Sequence, residues 1–367
     1  MDRIKSIDTF RGLSMLWMFV AHLLNWWLIT EDAWLYDLMW AICDVMGAGA
    51  FLFISGVSTT IAYRNRQIKE VKSGMYNKRM TRNQFLFRGL FIFLVALLYN
   101  LPVAIYTQNP FNLWIWYILL TIGVSVLLSW PLLKINKFYR MFIAVSIIIL
   151  NQILIGILIP YENKNNTLGI LFHILYNGFP ALDPIILFFP FFLIGTAIGD
   201  GIFDIYRHEQ ESYRKKALKN QYLFPSLIVG TFFITFGILY QFPLFLSSRT
   251  FPWTWYSLGI QLIFLSVLIS LEELKFKKVQ KSYKFLFYFS YYSLTIFIAH
   301  NLLFFIFLKE LSASIIFFFI FGTITFVALL LRYVYKKLGR FVSLKVLISV
   351  ISTELAKKIE SLFPSIK

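Results

Sequence analysis

Arg11 and His22 stand eleven residues apart in "RIKSIDTFRGLSMLWMFVAH", residues 3–22, where a long apolar run begins. Hydrocarbon does not hold ionisable groups without a partner or a task. On an α-helix, eleven residues turn through about 1100°, so the two side chains lie roughly 20° apart on one face. They are about 16 Å apart along the axis. One face then offers a fixed cation near a membrane surface and a titratable base deep within. A guanidinium can hold phosphate, and an imidazole can take and return a proton near neutral pH. Asn25 and Trp26, at i+3 and i+4 from His22, share its neighbourhood. Asp8 is spaced to pair with Arg11, and Ser6 or Asp8 to cap the helix start. Snorkelling of Arg11 and hydrogen-bonded packing of His22 would account for each residue alone, but not for their common face.

Further polar groups fall in other apolar runs. Asp44 lies toward the outer third of the second run, at a depth comparable with His22. It can orient the imidazole, meet a polar acceptor, or serve structure alone. Ser55 follows in the same run, among small residues that also let helices approach closely. His300 and Asn301 lie in "FSYYSLTIFIAHNLLFF", where interhelical hydrogen bonding explains them as well as substrate binding does. Arg88 opens the third run and, like Arg11, is followed by Gly. Together with Arg64 and Arg82 it can hold phosphate, although ordinary inside-positive charge accounts for all three. His173 and Arg249 fall on the outer side, and His208 falls in an inner loop.

The elements that must carry these groups follow from composition. The chain has 367 residues, 59% of them hydrophobic, and only 14% are charged. Mean hydropathy is +0.70. A soluble domain carries about 25% charged residues. The expected fold is an all-α polytopic membrane protein with about ten transmembrane helices. The apolar runs are 9–30, 39–63, 85–107, 113–133, 141–160, 181–199, 222–242, 252–271, 285–308 and 312–333. Arg11 interrupts the first run and no small-residue cleavage site follows, so a retained helix is expected rather than a signal peptide. With both termini cytoplasmic, the basic segments all fall inside: Arg3 and Lys5, "RNRQIKEVKSGMYNKRMTR", "KINKFYR", the 200–221 and 272–284 loops, and the tail. The outer loops hold only Lys164, Arg249 and Lys309. This positive-inside bias accounts for the net charge of +17, so no nucleic-acid partner is implied.

Residues 1–340 read as one membrane domain and 341–367 as a cytoplasmic amphipathic tail, with "LKVLISVISTELAKKIESLF" on the inner surface. "LGILFHILYNGFP" in the 161–180 segment is too short to span and reads as re-entrant or interfacial. The single cysteine, Cys43, excludes a disulfide scaffold and a multi-cysteine metal site, and no metal is expected. The sequence has no P-loop, HExxH, nucleophile elbow or dinucleotide fingerprint.

"SIDTFRG" with the Arg11–His22 spacing, then "FLFISGVS" at 51–58, resembles the transmembrane acyltransferase superfamily. "LDPIILFFPFFLIGTAIG" at 182–199 and "YSLTIFIAHNLLF" at 292–304 add to the likeness. The chain is most similar to the prokaryotic heparan-α-glucosaminide N-acetyltransferase-like family and has the Arg/His spacing of the acyltransferase-3 family. The resemblance implies transfer of an acetyl or other acyl group from cytoplasmic acyl-CoA to an amino or hydroxyl group of an extracytoplasmic sugar. In the acyltransferase-3 pattern the residues matching Arg11 and His22 are essential. The heparan enzyme has asparagine at the position of His22 and its catalytic histidine in the following loop. Here that loop, "ITEDAWLYD", has no histidine, which leaves His22 as the strong base candidate and Glu31 or Asp32 as helpers. The implied roles are catalysis by His22 and Asp44, acetyl-CoA binding by Arg11, Arg88, Arg64 and Arg82, and acceptor binding by Asn25, Ser55, His300 and Asn301. Transfer can run directly or through an acyl-histidine. The implied setting is the plasma membrane, with acyl-CoA, a glycan and lipids as partners; a homodimer is left open. The rival class is a proton-coupled transporter or a lipid or glycan flippase, which the same intramembrane charges also suit.

Overall fold

The computed structural model describes residues 4–73, 77–243, 249–273 and 284–362. Arg3 and most of the basic 272–284 loop lie outside them. The described chain is helical: α1 (Lys5–Trp27), α2 (Ala33–Cys43), α3 (Ala48–Ser73), α4 (Lys78–Tyr106), α5 (Ile118–Leu132), α6 (Lys137–Leu158), α7 (Thr167–Tyr176), α8 (Ile185–Tyr206), α9 (Glu211–Ala217), α10 (Phe224–Gln241), α11 (Phe251–Glu273), α12 (Lys284–Tyr291), α13 (Ser293–Ala299), α14 (Ile316–Lys337) and α15 (Leu344–Leu362). Seven helical segments among the described residues are long and apolar enough to cross a membrane. Three of the ten expected runs fall short of that measure for different reasons. Polar residues from Lys5 to His22 dilute α1, α5 has only 15 residues, and the 285–308 run is broken.

The chain forms two compact units, Leu52–Glu209 with Ile348–Lys367, and Asp2–Phe51 with Gln210–Leu347. In the first, α8 is buried on nearly every face, as an all-round apolar helix must be. Glycines bring it against α3: a Cβ on Gly195 would overlap the Phe53 carbonyl, and one on Gly56 the Phe192 carbonyl. The short α7 ends under Trp114 and Trp116, whose indoles donate to the Ile174 carbonyl at 2.9 and 3.0 Å. The expected amphipathic tail is α15; it buries Ile348, Ser352 and Ala356, and Thr353 meets Gln84 of α4.

In the second unit α1 packs against α11, α12 and α14. Two expected spans are interrupted here. The 39–63 run divides at a 3-10 turn, Asp44–Met46, between α2 and α3. The 285–308 run divides into α12, α13 and a 3-10 helix, His300–Phe305. Side chains take over backbone groups at this break. Tyr292 Oη and Thr295 Oγ1 hold a neighbouring turn by donating to the Gly339 and Val342 carbonyls at 2.7 and 2.8 Å. From beyond that turn, Ser343 Oγ donates to the Tyr291 carbonyl at 2.9 Å and Lys345 Nζ to the Ser290 carbonyl at 2.5 Å. Such substitutes let a span break without leaving bare backbone groups.

Candidate active site

Both ends of α1 are tied down, and this fixes where its polar face lies. The first N–H groups of a helix have no partner within it. Here Glu272, from the end of α11, accepts from the backbone N–H groups of Lys5 at 2.9 Å and Ser6 at 2.7 Å. Neither Ser6 nor Asp8 is the cap; a carboxylate from another helix satisfies the same groups and complements the helix dipole. At the other end, Lys309 and Leu311 donate their backbone N–H groups to the Trp26 and Trp27 carbonyls at 2.9 and 2.8 Å. Lys309 Nζ donates to the Asn25 carbonyl at 2.7 Å. Asp32 accepts from the Ala313 N–H at 2.6 Å, so it holds this same crossing at the C-terminal end of α1.

Helix α1 runs unbroken from Lys5 to Trp27, so Arg11 and His22 keep their common face. Arg11 is largely covered, with its side chain 13% exposed and Asp8 at 3.9 Å. Asp8 also accepts from Ser290 Oγ at 3.1 Å. Gly12 permits this crowding, since a Cβ there would overlap the Leu286 carbonyl of α12.

His22 meets His300. Its Nδ1 lies 2.8 Å from His300 Nε2, and the ring planes are within 10° of each other. His300 Nδ1 lies 2.5 Å from the Phe297 carbonyl. Trp26 lies nearly parallel to both rings, at 5.1 Å from His22 and 5.3 Å from His300, centroid to centroid. Phe19 and Phe297 close on His300 at 6.1 and 5.5 Å. His300 is buried and His22 half-buried. The break after α13 has a direct consequence here: it ends regular helix at Ala299 and sets His300 at the first position of the 3-10 turn. Asn301 is half-buried and donates to the Ile298 carbonyl at 3.2 Å; the Asn25 side chain is exposed.

Asp44 has a different partner. Arg249 donates to both its oxygens, Nε to Oδ2 at 3.2 Å and Nη2 to Oδ1 at 3.1 Å. The guanidinium also lies over Trp40 and Trp253, at 5.3 and 5.8 Å. Gln261 Nε2 holds the turn that carries Asp44 by donating to the Val45 carbonyl at 3.0 Å. The side chain within hydrogen-bond distance of the His22 ring is His300.

Ser55, Arg64, Arg82 and Arg88 belong to the first unit. Arg64 pairs with Asp204 at 2.7 Å and Asp200 at 3.4 Å, and Arg82 is exposed, donating to Asn83 at 3.3 Å. Sequence reasoning did not single out Arg140 or its partner Asp200, of which Arg140 is only 1% exposed. The available signal was an arginine directly abutting an apolar run and an acid closing another.

The sequence profile of the heparan-alpha-glucosaminide N-acetyltransferase catalytic family matches residues 3–230. No curated protein matches the chain. The matched stretch contains the whole of α1 with Arg11 and His22, and on that match over more than half its length the chain belongs to the heparan-alpha-glucosaminide N-acetyltransferase catalytic family, a family of membrane acetyltransferases.

Proposed function

We propose that the protein transfers an acetyl group from cytoplasmic acetyl-CoA to an amino or hydroxyl group of a sugar on the far side of the plasma membrane. The observation that supports this best is a continuous helix with a covered arginine near one end and, eleven residues on, an imidazole held by a second imidazole. The full reading has ten spans, cytoplasmic termini and α15 on the inner surface, as the lysine and arginine bias supports. Arg11 is the cation assigned to the CoA phosphates in the second unit; Arg64, Arg82 and Arg88 are the candidates in the first. Asn25 and Asn301 are the acceptor-side candidates near His22, with Ser55 the candidate in the first unit. Asp44 is assigned to holding Arg249 beside the outer aromatic groups, rather than to proton transfer.

His22 Nε2 takes the proton from the attacking amine or hydroxyl as its nitrogen or oxygen bonds to the thioester carbonyl carbon. The tetrahedral intermediate then collapses, the carbon–sulfur bond breaks, and the proton returns from His22 to sulfur, releasing CoA as the thiol. Positioned general acid–base groups contribute about 10²–10⁴-fold to such steps.

Incubation of the purified protein with radiolabelled acetyl-CoA and a panel of amino sugars and glycans tests the reading. Label appearing in a sugar, with stoichiometric free thiol, supports it. The broken α12–α13 span is also a transporter feature, so the same preparation in sealed liposomes covers the rival. Sugar or proton movement without acylation would favour transport.

A further inference from the structure

The two imidazoles and the Phe297 carbonyl form a line in which the proton positions are determined by chemistry. A carbonyl oxygen only accepts, so His300 Nδ1, at 2.5 Å from it, carries a proton. A neutral imidazole has one N–H, which leaves His300 Nε2 as a bare acceptor. The 2.8 Å contact with His22 then needs its proton on His22 Nδ1. His22 in turn has its free lone pair on Nε2. The opposite arrangement requires a resident imidazolium at His300. That ring is buried among Phe19, Trp26 and Phe297, and among the described residues no carboxylate pairs with either histidine. An unpaired charge in such surroundings is strongly disfavoured.

We infer that His300 is a positioning residue that locks His22 in the Nδ1–H tautomer and so presents Nε2 as the base. This rests on the reading of His22 as the general base. His300 lies outside the stretch matched by the family profile, so it is assigned from geometry alone. When His22 Nε2 takes up the acceptor's proton, its Nδ1–H still points at the bare His300 Nε2, which accepts from the new imidazolium. This is the task that a carboxylate performs in a catalytic triad, done here by a neutral ring. Trp26 turns its face toward both rings and suits the charge that appears there.

The test reads the tautomer before it reads activity. The chain has only four histidines, so ¹⁵N-histidine labelling in detergent micelles at mildly alkaline pH, assigned through His173→Gln, His208→Gln and His22→Gln variants, resolves each ring. The expected result is a protonated Nδ1 and an unprotonated Nε2 in both His22 and His300. A protonated Nε2 on neutral His22 overturns the inference. Two substitutions then separate positioning from packing. Gln at 300 retains an acceptor oxygen where Nε2 stood, whereas Asn is too short to reach His22. His300→Gln should keep kcat within about tenfold of the parent, and His300→Asn should lose about 10²-fold at little change in KM, the scale of a misplaced base. Equal losses in the two folded variants also overturn it. Full activity in His22→Ala would remove the underlying reading instead, and the NMR result would stand apart from that failure.

Discussion

At the scale of single residues, the helical repeat made Arg11 and His22 legible as a pair, because both lie on one unbroken helix. His300 was legible as an acceptor-binding or hydrogen-bonding residue, but not as the partner of His22. Its contact with His22 spans 278 positions, and periodicity within one helix says nothing of what faces it from another. The partner of Asp44 was hidden for the same reason: its apparent depth matched that of His22, but Arg249, which pairs with it, is 205 positions away. The pair yields a prediction. Arg249→Ala leaves a buried carboxylate without its counter-charge, a change that costs about 3–5 kcal/mol when the site cannot adapt. Thermal unfolding in detergent should show a large loss of stability, partly recovered in Asp44→Asn/Arg249→Ala; no loss in the single variant would contradict the assignment of Asp44 to structure. Arg11→Ala should weaken CoA binding by calorimetry while the fold persists. Arg11→Lys should rescue it incompletely, since a point charge does not replace a two-pronged donor.

At the scale of elements, the apolar runs identified most helices but not their interruptions. The breaks at Asp44–Met46 and around Tyr292 depend on bonds from distant chain, Gln261 and Ser257 to the Val45 carbonyl and Ser343 to the Tyr291 carbonyl. No local propensity announces such partners. The cap of α1 is a similar case, because Glu272 lies 266 positions from Ser6. Loss of a helix cap costs about 1 kcal/mol, and α1 positions the proposed donor cation one turn further on. Glu272→Ala should therefore lower thermal stability and weaken CoA binding together, while Glu272→Gln, which keeps an acceptor oxygen, should do less of both. Separate behaviour of the two readouts would show that the cap does not place Arg11.

At the scale of the whole molecule, hydropathy and charge established a polytopic helical membrane protein, and the family follows from the match over residues 3–230. The division into two units was not legible, since each is assembled from stretches far apart in sequence. Orientation is the prediction that belongs here. With Cys43 replaced by Ala, single cysteines at 161–167 should react with an impermeant reagent from outside, and those at 64–84 only after the membrane is opened. The reverse pattern would overturn the topology and the direction of transfer together.

The central claim is that His22 removes the acceptor's proton in an acetyl transfer. Its most direct test is the turnover of His22→Ala with acetyl-CoA and the accepted sugar, measured beside its CoA affinity in the same folded preparation. The account predicts a loss of roughly 10²-fold or more in kcat, with CoA affinity retained because Arg11 is untouched. Near-normal turnover in the folded His22→Ala protein would contradict it.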